Sequence, residues 1–376
     1  MSAVAGSGPL AGRPRIERPR AAGARKAGHP VAARRLALLG TGTVGAAFLA
    51  RYRMLQERGV ALPRIVWLAN SRTVLGDVAD PQAALARANA APRREAELQG
   101  WAEAEALRAG GIVVDATASE LVANWHPEWL ARGVNVVTAN KLGHGGLLAR
   151  SQAICEAQAD TGAQYGDAAT VGAGLPVLRS LRALVAGGDR IEAVEGVLSG
   201  SLAWLFNHYD GARPFSALVA QALDAGYTEP DPRIDLSGED VRRKLLILAR
   251  AAGLALDGRQ VRVDSLVPEA LAAASAGAVR EALPLLDAPL AMRLAEARAV
   301  GGSLRFVGRF DPQGAEVGLR VLPAGHALCG GAGTDNRVAI RSDRYRAQPL
   351  LIQGPGAGAE VTAAALLDDV LRIAAG

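Results

Sequence analysis

Three lysines stand against 39 arginines in this chain of 376 residues, at Lys26, Lys141 and Lys244. Arginine serves wherever plain positive charge is wanted, because its guanidinium stays protonated and presents a rigid fork of donors. Lysine offers a compact ammonium whose pKa responds to burial and neighbours. Retained lysines are therefore candidates for proton transfer. Lys26 lies in a basic leader rich in Pro and Gly, which leaves Lys141 and Lys244 to be placed.

Lys244 follows a segment dense in acids and stiffened by two prolines, Tyr227-Thr228-Glu229-Pro230-Asp231-Pro232-Arg233-Ile234-Asp235-Leu236-Ser237-Gly238-Glu239-Asp240. The run Leu245-Leu246-Ile247-Leu248 makes the helix read over 240–250 apolar on nearly every side, hence buried. Asp240 and Lys244 are four apart and share a face. An ammonium entering an apolar helix beside carboxylates has the adjustable pKa a general acid needs. The acids also suit the ammonium of an amino-acid substrate. Plainer roles fit the same residues. Ser237, three before Asp240, approximates a capping box, and an exposed Asp240–Lys244 pair would add only about 0.3–0.5 kcal/mol.

Gly40-Thr41-Gly42-Thr43-Val44-Gly45 lies between an apolar run at 36–39 and a helical stretch at 46–57. In that context the first glycine permits a tight turn and the second lets backbone approach a pyrophosphate. The third allows close packing of helix on strand, and the helix N-terminus faces the phosphates. Thr41, Thr43 and Val44 supply the loop's remaining backbone contacts. At the end of the next strand, NAD sites carry an acid for the ribose 2′-hydroxyl. Here the sequence reads Ala69-Asn70-Ser71-Arg72. The absent acid predicts NADP rather than NAD, with Arg72 on the 2′-phosphate. Thr117 and Ser119 follow another strand end, and Thr138-Ala139-Asn140-Lys141 a further one. Ligands of open α/β sheets lie beyond the carboxyl ends of strands, so Lys141 is expected beside the nicotinamide.

These residues need a scaffold that alternates strand and helix, and the chain has one. Apolar runs at 36–39, 64–69, 111–116 and 135–138 alternate with helical stretches, which implies a parallel sheet covered on both faces. From about residue 170 the texture becomes mixed, with a hairpin over 304–322 turning at Asp311-Pro312-Gln313-Gly314. The fold class is α/β, a Rossmann-type doubly wound nucleotide-binding domain with a second α+β substrate and dimerisation domain. The boundaries read as a disordered basic tail at 1–34, the nucleotide domain at 35–170 and the substrate domain at 171–345. A C-terminal strand and helix at 346–376 are expected to return to the nucleotide domain.

Composition excludes several classes. The net charge of +5 is carried by the leader, whose first 35 residues hold eight basic side chains against Glu17, so the remainder is near −2. A near-neutral body with 4% aromatics offers nucleic acid no basic, stacking surface. No run of about 18 apolar residues exists to span a membrane. The leader lacks the apolar core of a secretory signal; Arg-rich and acid-poor, it admits an organelle transit peptide, but its Pro and Gly break any amphipathic pattern and favour a disordered tail. Cys155 and Cys329 show no CxxC spacing and read as thiols of a reducing cytoplasm.

The nucleotide loop, Ala69-Asn70-Ser71, Thr138-Ala139-Asn140-Lys141 and Val171-Gly172-Ala173-Gly174-Leu175-Pro176 together resemble homoserine dehydrogenase. Gly196-Val197-Leu198-Ser199-Gly200-Ser201, the acidic segment with Arg243-Lys244, and Gly354-Pro355-Gly356-Ala357-Gly358 add to the likeness, which covers roughly nine-tenths of the chain. The resemblance implies reversible NAD(P)H-dependent reduction of L-aspartate 4-semialdehyde to L-homoserine by a cytoplasmic homodimer. It implies Lys244 as proton donor, Asp240 holding substrate or a water, and Glu229 on the amino-acid end. Lys141 would lie by the nicotinamide and substrate. Thr117 and Gly358 match cofactor positions, and Tyr227 and Asp235 line the pocket. The family often binds a monovalent cation, here sodium, through carbonyls matching Ala168, Val171, Ala173 and Leu175. An acid usual at position 168 is absent, and Asp167 stands one residue earlier. The chain resembles a monofunctional enzyme without an amino-acid-sensing domain, for which inhibition assays are expected to show weak feedback by threonine. Two other readings are a different amino-acid-derived carbonyl reductase on this scaffold and a non-catalytic NADP-binding regulator. The specific segment from Tyr227 to Lys244 argues against the first, and the joint presence of Lys141, Asp240 and Lys244 argues against the second.

Overall fold

The computed structural model describes residues 34–92 and 108–376, so the tail read at 1–34 falls almost wholly outside them. The described chain forms two compact units. One ends at Gly174 and resumes at Ala357, and the other runs from Leu175 to Gly356.

The first unit holds β1 (Arg35–Leu39), β2 (Arg64–Ala69), β3 (Val74–Gly76), β4 (Ile112–Asp115), β5 (Asn135–Thr138) and β6 (Tyr165–Gly166). Their order is β3-β2-β1-β4-β5-β6, parallel throughout except for the β2–β3 pair. The buried faces follow from alternation along β1. Leu36 and Leu38 enter one core with Phe48 and with Leu366, Val370 and Ile373 of the closing helix. Ala37 and Leu39 enter the other, with Trp125 and Trp129. A strand whose successive side chains point to opposite faces, apolar and buried from Leu36 to Leu39, must be covered on both. The chain works outward from β1 to β3 and then crosses to β4, which makes the β1/β4 boundary the switch point where such sheets bind ligands.

The second unit holds β7 (Ile191–Val197), β8 (Val261–Val263), β9 (Gly302–Asp311), β10 (Gly314–Pro323), β11 (Asp335–Ser342) and β12 (Leu350–Pro355), in the order β12-β11-β7-β9-β10-β8. The expected hairpin is β9–β10, in which Asp311 Oδ1 accepts from Gln313 N at 2.8 Å. Helix Glu239–Ala251 packs on this sheet, where Gly308 gives it room: a Cβ there would lie 3.0 Å from Val241 Cγ1.

The C-terminal strand does not return to the nucleotide domain, because β12 pairs antiparallel with β11 at the edge of the second sheet. Only helix Ala359–Ala375 returns, since its apolar stripe is what the first unit's core lacks. The strand's alternating half-buried and exposed residues suit an edge and could not serve a sheet covered on both faces.

Candidate active site

The glycine loop opens helix Thr43–Glu57 at the carboxyl end of β1. Gly40 takes φ +95°, and a Cβ on it would stand 2.7 Å from Ala116 O at the end of β4. A Cβ on Gly45 would stand 1.9 Å from Gly40 O, so helix and strand meet without room for a methyl. Gly42 differs: a Cβ there would meet nothing within 4 Å. Gly42 and Thr43 are exposed, and the helix has no acid in its first turn. Open backbone at a positive helix end is what a pyrophosphate needs. Thr41 turns inward instead. Its hydroxyl donates to Asn89 Oδ1 at 2.7 Å and accepts from Asn70 Nδ2 at 2.8 Å. Asn70 Oδ1 accepts from the backbone N–H of Arg72 and Thr73, and Arg72 Nη1 donates to Asn89 O at 2.9 Å. Asn70 thus knits the first loop to the arginine expected at the ribose.

At the neighbouring strand ends the loops are pinned by short polar side chains. Asp115 Oδ1 accepts from Thr117 N at 2.8 Å, and Thr138 Oγ1 accepts from Asn140 N at 2.8 Å. Asn140 Nδ2 donates to Ser119 O at 2.9 Å, joining the two loops. Half-buried Lys141 follows directly, heading the turn Leu142–Gly145. Arg150, ion-paired to Glu120, donates to Leu142 O at 2.7 Å and holds that turn from below. Gly358 caps helix Ala359–Ala375 in this unit, its carbonyl accepting from Thr362 N at 3.0 Å.

In the second unit, Lys244 is 7% exposed and its ammonium is met by two acceptors. Nζ donates to Leu198 O at 2.7 Å and lies 2.9 Å from Asp240 Oδ2. Asn336 Nδ2 donates to the same Leu198 carbonyl at 3.1 Å. The capping box expected of Ser237 and Asp240 does not form. Gly238, at φ +78°, is the N-cap, and Ser237 Oγ donates back to Ile234 O. A left-handed N-cap puts Ser237 before the helix rather than at its head.

The acidic segment sorts itself by partner. Asp231 pairs with Arg233 at 2.6 Å, which holds its carboxyl below the usual range, and Glu239 pairs with Arg242 at 2.7 Å. Asp235 is different: Oδ1 accepts from Ser201 Oγ at 2.7 Å and Oδ2 from Glu229 N at 2.9 Å. Tyr227 is exposed, with its ring 5.3 Å from that of Trp204. Burial pushes the Asp235 carboxyl above its ordinary range; the two hydrogen bonds pull it down, and the charge of Asp240 adds to the rise.

A carboxyl whose folded pKa is raised stabilises the fold when protonated. Its contribution is present at acid pH and lost as pH rises through the folded value. Asp235→Asn removes that dependence. The melting temperature of the variant relative to wild type should therefore climb as pH rises upward from about 4, the ordinary aspartate value. A difference constant over that window would contradict the shift.

The Ala168–Thr170 turn continues through Val171 into Gly172 and Ala173, at φ +73° and +49°. Ala173 in the left-handed region costs about 1 kcal/mol, which only a well-determined turn sustains. Asp369 Oδ2 helps hold the turn, accepting from Ala168 N at 3.0 Å. Among the described residues no cluster of three His, Cys, Asp or Glu could hold a metal. Neutral carbonyls in a tight turn suit a hard monovalent cation.

Residues 176–371 match the family model described as homoserine dehydrogenase, and residues 40–165 match the model described as its NAD binding domain. The chain belongs to the homoserine dehydrogenase family. The homoserine dehydrogenase of Paracoccidioides brasiliensis is 36% identical over 366 residues, covering 90% of this chain and 97% of that protein. The chloroplastic bifunctional aspartokinase/homoserine dehydrogenase 2 of Zea mays is 44% identical over 266 residues. That match covers 70% of this chain but 29% of the bifunctional protein, so the chain spans under a third of it. A crystal structure of a Candida auris protein has a TM-score of 0.80 at 35% identity, covering 91% of this chain and 98% of that one.

As a homoserine dehydrogenase family member the chain is built on an NAD(P)-binding oxidoreductase scaffold. Its sequence alone did not single out Ser201, Asn336, His126 or Tyr165. Ser201 sat in a quoted motif, but its bond to Asp235 spans 34 residues. Asn336 reaches Leu198 across 138 residues, and no local pattern encodes that.

Proposed function

We propose that this homoserine dehydrogenase family chain reduces L-aspartate 4-semialdehyde to L-homoserine, reversibly, with NADPH. The observation that carries the reading is Lys244: a buried ammonium oriented by Leu198 O and Asp240, following a segment whose acids not paired with arginine include Glu229 and Asp235. An ammonium has three donors, and two are taken by these acceptors. The third is the one we assign to the substrate carbonyl oxygen, where it stabilises developing negative charge and then gives up its proton. Asp240 orients the amine before transfer, and Glu229 takes the substrate's ammonium. When bound, the nicotinamide supplies the hydride, with Lys141 beside it. A non-catalytic regulator has no use for a buried, oriented lysine.

Loss of NADPH absorbance with the semialdehyde tests the proposal, and an inactive wild type ends it. NADPH should outrun NADH in kcat/KM, with Arg72 on the 2′-phosphate. A charged hydrogen bond contributes about 1.5–3 kcal/mol, so Arg72→Ala should cut the NADPH advantage by roughly tenfold or more. Equal turnover of NADH by the wild type would sink this assignment.

Sodium on the carbonyls of Ala168, Val171, Ala173 and Leu175 completes the reading. Replacing sodium by choline should lower turnover, and unchanged turnover removes the cation. We further infer a homodimer formed through the second unit, to be checked by sedimentation, a monomer counting against it. A cytoplasmic location accords with two cysteines outside any disulfide, and fractionation that finds the chain elsewhere would refute it. Among the described residues no helix is long and apolar enough to cross a membrane.

A further inference from the structure

Asp115 ends β4 fully buried, one carboxylate oxygen serving the loop that follows and the other the helix Glu120–Ala131. Oδ1 accepts from Thr117 N, in the loop that follows β4. Oδ2 faces His126 Nε2 at 2.9 Å, and His126 Nδ1 lies 3.0 Å from the Tyr165 hydroxyl. With Nε2–H donating to Asp115, Nδ1 is left to accept from the tyrosine, and every polar atom of the chain is matched. The hydroxyl then presses on Gly143, where a Cβ would lie 2.1 Å from it. Gly143 is two residues past Lys141. The Tyr165 ring also meets His144 edge-on at 4.9 Å, and His144 Nδ1 lies 2.8 Å from Ser151 Oγ.

Stability alone does not call for this arrangement. Apolar side chains of similar volume would fill the space without the desolvation cost of burying a carboxylate, an imidazole and a phenol. What a hydrogen-bonded chain adds is direction, since each link fixes both distance and angle. The two ends of this chain are the Thr117 loop and the turn that carries Lys141.

We propose that Asp115–His126–Tyr165 is a positioning relay, with His126 and Tyr165 setting the Lys141 turn against the Thr117 loop. The proposal rests on the reading that Lys141 acts beside the nicotinamide. Neither His126 nor Tyr165 is assigned contact with substrate; both act through Lys141. A misplacement of about 1 Å at a reacting group can cost up to a hundredfold in rate, so a partial loosening should cost about tenfold.

Tyr165→Phe deletes only the hydroxyl and keeps the ring that packs on His144. Its kcat should fall about tenfold, while NADPH affinity from fluorescence titration and KM for the semialdehyde stay within about twofold. A merely structural role would instead lower the melting temperature and leave kcat of the folded enzyme alone. Combining the change with Lys141→Arg, which keeps a cation but loses the lysine's placement, supplies the second readout. The double variant should be no slower than Lys141→Arg. Wild-type kcat in Tyr165→Phe, or losses that simply multiply in the double variant, would overturn the relay. An inactive wild type would instead remove the reading on which it rests.

Discussion

Lys244→Met should lower kcat for semialdehyde reduction by about a thousandfold while leaving NADPH affinity unchanged. A positioned general acid contributes about 10²–10⁴ in rate, and the same ammonium also steadies the alkoxide before the proton moves. The loss should fall on kcat, because the charge it answers exists only in the transition state. The variant is expected to fold. The site is 7% exposed within an apolar helix, so methionine's linear side chain fits the volume. The partners left behind are not stranded. Leu198 O still accepts from Asn336 Nδ2, and the Asp240 side chain is 38% exposed, so water can solvate it. A residual rate above a tenth of wild type, at unchanged melting temperature, would move the proton to another group, with Lys141 the first candidate.

Gly42→Ala should lose cofactor affinity by about a hundredfold without loss of stability. The residue sits at φ −73° and ψ −162°, extended backbone open to any side chain, and its added Cβ meets nothing within 4 Å. The empty protein therefore has no reason to resist the methyl. A pyrophosphate does, because backbone N–H groups must come within hydrogen-bond distance of its oxygens. Loss of one charge-assisted bond, about 1.5–3 kcal/mol, corresponds to roughly ten- to two-hundredfold in the dissociation constant. Gly45→Ala is the contrasting control. There the Cβ falls 1.9 Å from Gly40 O, and the whole fold should weaken. Equal NADPH affinity in Gly42→Ala and wild type would mean the loop does not hold the phosphates.

Both residues are legible in the sequence alone, for reasons that are local. Gly42 is marked by its place between an apolar strand and a helix, a pattern set by neighbours in sequence. Lys244 is marked by scarcity, by Asp240 one turn earlier, and by an apolar run beyond. The β9–β10 hairpin was legible for the same reason, since its turn and both strands are contiguous. Where the reading failed, the deciding interaction was distant. The strand at Leu350–Pro355 looks locally like any strand, and only pairing with β11 shows which sheet takes it. Ser237 had the spacing of a cap, but Gly238 at positive φ moved the helix start past it.

By itself, then, the sequence determined the α/β class, the glycine loop, the family and the two lysines worth testing. Each of these rests on residue type and on periods of two to four residues, which local backbone geometry turns directly into structure. Tertiary structure alone decided that Asp235 is held by Ser201, 34 residues away. It alone brought Leu198 and Asn336 to Lys244, and His126 and Tyr165 to Asp115. Those partners lie from 11 to 138 residues apart, and a hydrogen bond requires its atoms within about 3.5 Å. Only packing of the finished cores brings groups so far apart in sequence to that distance.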